Sequence, residues 1–190
     1  MTKTAAVLAI ATSFVACQAF AAGEIPQAYD ATYEMTSPGA GLTKMHQMSD
    51  GKGHMRVESE TRGMKSTAIY DYPGKIMYSL MDAQKMYIKM PIKDEATKIT
   101  DENSAKKANA KSLGTKTVDG HPCHGWETKT GTTTSACWIG DDIHNLVRSE
   151  TTTSSGKMVM ELKTYSAKAP AGDLAAIPSN YKEMKMPGTH

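Results

Sequence analysis

From Gln27 onward, apolar and polar residues alternate. Tyr29, Ala31, Tyr33 and Met35 interleave with Asp30, Thr32 and Glu34, the period-two pattern of a strand with one buried face. Ser37-Pro38-Gly39-Ala40-Gly41 breaks the run. Residues 42–48 and 54–60 repeat the alternation on either side of Asp50-Gly51-Lys52-Gly53, a turn signal. Arg62-Gly63 leads into a strand over 65–72, and Pro73-Gly74 turns the chain again. Residues 75–80 and 85–90 then predict the plainest hairpin in the chain. Centred on Ala83, it sets Leu80 opposite Met86, Tyr78 opposite Ile88 and Ile76 opposite Met90, so one face is wholly apolar.

The pattern changes after Pro91. Residues 94–112 are polar, rich in Ala and Lys and free of Gly and Pro. They predict a helix capped by Thr100 or Asp101 and closed by Gly114. Residues 114–140 read as a hairpin centred on Thr130, with Gly131 supplying the positive φ of a three-residue loop. That register sets Cys123 opposite Cys137 and puts Trp126 and Trp138 on the face away from the sulfurs. A last hairpin joins 146–152 to 158–165 through Ser154-Ser155-Gly156, with Met158, Met160 and Leu162 on one face. Pro170-Ala171-Gly172 opens a short helical turn over 173–177, and the tail carries Tyr181, Met184 and Met186. About ten strands joined by short turns predict a mainly β fold: a curved antiparallel sheet, a half-barrel, with one or two helices over its concave face.

The N-terminus reads as an address. Lys3 precedes an apolar run from Ala5 to Val15, and Ala19-Phe20-Ala21 is an A-x-A cleavage site. Residues 1–21 are therefore read as a signal peptide and 22–190 as a single domain, periplasmic or secreted. Lipidation at Cys17 is the alternative; Phe14-Val15-Ala16 fits a lipobox poorly. No stretch of the mature chain is long and apolar enough to span a bilayer. Export makes Cys123 and Cys137 an even pair in an oxidising compartment, and with the hairpin register this predicts a disulfide.

Composition narrows the function classes. The formal net charge is +2, of which the leader carries one, so no basic face for nucleic acid is implied. Both Phe residues lie in the leader, which leaves Met, Tyr, Ile, Leu, Val and two Trp to build the core. No nucleophile elbow, Gly-rich phosphate loop or H-E-x-x-H motif occurs, so no enzyme and no cofactor are implied. Methionine is the remaining signal. Met45, His46 and Met48 border a turn and offer thioether and imidazole ligands suited to Cu(I) in an exported protein. A soft, Met- and Tyr-lined concavity suits an apolar ligand instead.

Four segments carry a family resemblance: Arg56 within HMRVE, the hairpin MYSLMDAQKMYIKMP, GHPCHGWE followed by ACWIGDDI, and the closing IPSNYKEMKMP. They span nearly all of the mature chain. The sequence resembles an exported bacterial family of unknown function grouped with the LolA/LolB-like lipoprotein-carrier half-barrels. The resemblance implies a curved antiparallel sheet with helices over its concave face, a site for an acyl chain, and no catalytic residues. The expected function is an exported binding protein whose concavity takes an apolar small molecule or acyl chain, lined by Tyr78, Met86, Ile88, Met160 and Leu162. A periplasmic copper protein and an envelope module with a protein partner are the alternatives.

Overall fold

The computed structural model describes residues 27–92, 99 and 102–184. The predicted signal peptide with its cleavage site, Cys17, the predicted helix caps Thr100 and Asp101, and Met186 lie outside the described residues. Every hydrophobic alternation read above becomes a strand. In chain order these are β1 (Ala28–Ser37), β2 (Gly41–Asp50), β3 (His54–Thr61), β4 (Met64–Asp71), β5 (Ile76–Met81) and β6 (Met86–Pro91). After the helix α1 (Glu102–Lys107) come β7 (Lys111–Val118), β8 (His121–Thr130), β9 (Thr133–Gly140), β10 (Asn145–Thr153) and β11 (Gly156–Ser166). The two-residue β12 (Lys182–Glu183) closes the series.

All twelve form one sheet in the order β12-β6-β5-β4-β3-β2-β1-β11-β10-β9-β8-β7. Neighbours are antiparallel except β12, which runs parallel to β6. Two meanders, β1 to β6 and β7 to β11, are thus joined where β1 pairs with β11. The connection from β6 to β7 links strands at opposite ends of the sheet and carries α1.

This sheet has two unlike faces. Tyr29, Ala31, Tyr33 and Met35 of β1 are buried, and so are their direct partners Ser49, Gln47, Met45 and Thr43 on β2. Leu146, Cys137, Trp126, Met160 and Leu162 continue the same cluster, which Ile99 and Ala105 of the connection complete. This is the helix face. The opposite face of β1, β2 and β11 carries Asp30, Thr32, Glu34, Lys44, His46 and Glu161. Tyrosines on the helix face keep their hydroxyls paired: buried Tyr33 donates to the Leu146 carbonyl at 3.2 Å and half-buried Tyr165 to that of Ile143 at 3.2 Å.

Cover differs from expectation. Among the described residues one short helix is present instead of helices spanning the face, and Gly114 lies within β7, at φ 77, where the ladder shifts register between Ser112 and Gly114. The stretch 173–177 is a turn, and it serves the opposite face: Arg56 Nη1 donates to the Ala176 carbonyl at 3.3 Å. From there the chain reaches the outer edge of β6, where Lys182 and Met184 donate to the carbonyls of Lys85 and Tyr87. It thereby crosses β4 and β5, whose opposite-face residues Ile69 and Leu80 are almost completely buried.

Candidate ligand-binding face

Two hairpins adopt registers other than those predicted, and each difference moves side chains across the sheet. Between β5 and β6 the loop is four residues, Asp82 to Lys85, with Lys85 at φ 52. Met81 therefore faces Met86, Ser79 faces Ile88, Met77 faces Met90 and Tyr78 faces Lys89. A slip of one residue reverses faces. Following the pairs from β6 to β1 (Ile88, Ser79, Ala68, Val57, Gln47, Ala31) places Met86 and Ile88 on the helix face. Tyr78 pairs with Ile69 and lies on the opposite face. The predicted apolar face of Ile76, Tyr78 and Leu80 with Met86, Ile88 and Met90 is thus divided between two sides.

The second correction concerns the cysteines. The β8–β9 loop has two residues, Gly131 and Thr132. Gly131 at φ 57 occupies the first loop position, as a type II′ turn requires. Cys123 then faces Gly140, and Cys137 faces Trp126. The two sulfurs point to opposite faces, and both cysteines are buried and outside any disulfide. The predicted disulfide is not formed. Trp138 lies across from Gly125 on the face away from Trp126; a Cβ at Gly125 would sit 2.5 Å from its ring. Lys116 Nζ lies 3.8 Å from the Trp138 ring centroid. Burial is the main reason the Cys123 thiol is pushed above its ordinary range, helped by the carboxylates of Asp141, Asp142 and Asp119.

The remaining predicted ligand residues fall in two places. Met160 and Leu162 are buried against Met35 and Tyr33 in the main core. Met86 and Ile88 lie six strands away in the sheet order. Around them the helix face becomes methionine-rich. Met55, Tyr70, Met77 and Met90 form one row across β3 to β6, and Met81 and Met86 form a second pair near the loop. Met77, Met81, Met86 and Met90 are half-buried, whereas Met55 and Ile88 are buried. The Tyr29 hydroxyl lies 3.5 Å from Met55 Sδ, and the Tyr70 and Tyr72 rings stack at 6.0 Å. Burial raises the phenol pKa of Tyr29 and Tyr70, so both stay protonated.

The alternative copper ligands do not converge. His46 and Met48 share the opposite face, while Met45 points to the helix face and is buried. His46 Nε2 is held 2.8 Å from Asp30 Oδ1. Among the described residues, no group of three or more His, Cys, Asp and Glu side chains is placed to hold a metal.

A cavity of about 510 Å³ lies against the opposite face. Lys163, Glu34, Lys44, Arg56, Glu58 and Lys65 line it, together with Asp82 from the β5–β6 loop. Register places Glu34, Lys44, Glu60 and Lys65 in one row of alternating charge. This is an ionic surface, with Arg56 Nε 2.8 Å from Glu58 Oε1 and Lys163 Nζ 3.9 Å from Glu34 Oε2, and its lining does not suit a hydrocarbon chain. The pattern was visible in the sequence as the polar half of each alternation; only the fold shows that it encloses a volume.

A family model described as a domain of unknown function (DUF4412) matches residues 31–148. No curated protein matches the sequence. Among solved structures, an uncharacterized conserved protein from Thermus thermophilus is similar with a TM-score of 0.63 at 10% identity, over 83% of this chain and 90% of that one. MucB in the Pseudomonas aeruginosa MucA/MucB complex is similar with a TM-score of 0.52 at 11% identity, over 82% of this chain and 57% of that one. This chain therefore spans less than two thirds of the MucB chain it matches. Identities this low show the fold alone.

Proposed function

We propose that this chain, which belongs to the DUF4412 family, is an exported, non-catalytic binding protein that seats an apolar chain on the methionine-rich end of its helix face. The observation that carries the reading is the contrast in burial along one face. Leu146, Ile139 and Leu162 are sealed in the core, while Met77, Met81, Met86 and Met90 remain half-buried around Ile88. Unbranched thioether side chains repack at little cost, which suits a flexible hydrocarbon. Export rests on the N-terminal leader pattern. Met86 and Ile88 belong to this seat; Met160 and Leu162 form the adjoining floor of the core, and Tyr78 takes no part.

A fluorescent fatty-acid titration tests the reading. The wild-type protein gives a saturable signal that changes little with salt, because no charge converges on the seat. Met86→Lys with Met90→Lys, both at half-buried positions, abolishes it in a protein that still melts cooperatively. An unchanged signal in that variant removes the proposal.

A second reading is favoured by one comparison: MucB was solved in complex with MucA. On that reading the occupant is a polypeptide of the envelope. Native mass spectrometry of the protein purified from its host separates the two by the mass retained.

A further inference from the structure

The methionines of the helix face invite a second chemical reading, since packing alone does not require sulfur. Met81 and Met86 are directly opposite across β5 and β6, and so are Met77 and Met90. Side chains so placed stand about 5 Å apart at Cβ, within mutual reach of two flexible thioethers. β12 supplies a fifth. Lys182 pairs with Met86 and Glu183 with Tyr87, so alternation returns Met184 to the face of Met86 and Ile88. The Met184 N–H donates to the Tyr87 carbonyl at 2.8 Å, which fixes its place beside β6. Met184 is half-buried like the other four. Within this patch Ile88 and Ser79 separate the two methionine pairs and Met184 falls level with Ile88; a charge enters only at Lys182, which pairs with Met86 and is exposed, so its ammonium extends to solvent.

We infer that Met81, Met86 and Met184, with Met77 and Met90 beside them, form a thioether site for a soft monovalent cation, Cu(I) or Ag(I). Neutral sulfur donors without carboxylate or imidazole select such ions over Zn(II), Mg(II) or Ca(II). A half-buried apolar surround lets the ion enter from solvent and disfavours hard, strongly hydrated cations. Nor is this the trio of Met45, His46 and Met48, which the fold disperses over two faces. The inference shares a surface with the acyl-chain reading but does not depend on it: a hydrocarbon needs an adaptable apolar surface, whereas the metal needs the sulfur atoms themselves.

That difference sets the experiment. Cu(I) is titrated anaerobically against a chromophoric chelator, and Ag(I) serves as a redox-inert probe. The wild-type protein competes for Cu(I), and X-ray absorption shows sulfur scatterers only. Met81→Leu, Met86→Leu and Met184→Leu together preserve side-chain volume. They weaken Cu(I) by about tenfold or more in a protein that still melts cooperatively. Met45→Leu with His46→Ala and Met48→Leu leaves Cu(I) affinity unchanged. In the wild-type protein, Ag(I) shifts the methyl resonances of Met81, Met86 and Met184, a readout that needs no variant to fold. Failure to compete, nitrogen or oxygen scatterers, full affinity in the leucine triple variant, or shifts confined to other methionines each overturn the inference. Absence of fatty-acid binding by the wild-type protein, with its Cu(I) binding intact, overturns the proposed function alone.

Discussion

The two ends of this one sheet are built from different side chains. The half made of β1, β2 and β8 to β11 buries Tyr33, Leu146, Val147, Ile139 and Trp126 under the connection that carries α1. The half made of β3 to β6 leaves Met77, Met81, Met86 and Met90 half-exposed on that face and buries Ile69 and Leu80 on the other, beneath the C-terminal segment. Branched and aromatic side chains fill a fixed space in defined rotamers; methionine adapts to a changing one. The difference teaches that the first half holds the fold, while the second can exchange neighbours.

The sharpest way to break that comparison is truncation in each half. Leu146→Ala costs roughly 2–5 kcal/mol, because a fully buried leucine leaves a cavity. Met77→Ala, already half-solvated, costs about 1 kcal/mol or less. Urea unfolding of both variants measures the ratio, and equal losses would place the methionine row in the core.

Acid sharpens it next. The Lys157 ammonium, then the Arg148 guanidinium, hold the Glu150 carboxyl below its ordinary range, and Lys163 does the same chiefly for Glu161. These groups join β10 and β11, in the first half. Partial burial opposes the charge of Asp50, but hydrogen bonds from the His54 side chain and from the His54 and Lys52 N–H groups outweigh it. A carboxyl with a depressed folded pKa contributes stability that is present above its unfolded value and is lost as pH falls through the folded one. The unfolded chain binds more protons in that interval, so stability rises with pH there. Melting temperature should fall below about pH 4, and less steeply in Glu150→Gln with Glu161→Gln. A profile flat from neutral pH down to pH 2 (roughly two units below the ordinary carboxylate range) contradicts the assignment.

The smallest expected effect is none at all. Cys123 and Cys137 stand on opposite faces of the first half, so a reductant should leave the melting temperature unchanged. In the folded protein both thiols react slowly, being buried. After denaturation without reductant both titrate. Absence of free thiol would restore the bridge and refute the β8–β9 register.

Much of the fold was legible as alternation. Ten of the eleven longer strands were readable from period-two patterning, because half-burial of a sheet imposes it on any chain; β7 was missed, its start read as helix and its remainder as part of one arm of the hairpin over 114–140. The charged row of Glu34, Lys44, Glu60 and Lys65 and the methionines of β5 and β6 were equally visible as strand positions. Their faces and partners were not. Register depends on whether a hairpin loop holds two, three or four residues, and the marks of loop length were absent where they mattered. Three loops here have four residues and end in a residue with positive φ that is not glycine: Lys75, Lys85 and His144. Nothing in a lysine announces that conformation, and histidine is only enriched in it. With side chains alternating every residue, a loop misjudged by one carried Tyr78 away from Ile88, and one misjudged in β8–β9 parted the cysteines. The parallel seat of β12 on β6 was beyond local reading too, since two residues have no period. Local pattern determined which residues form strands; long-range pairing decided which side each one faces, and therefore what can meet what.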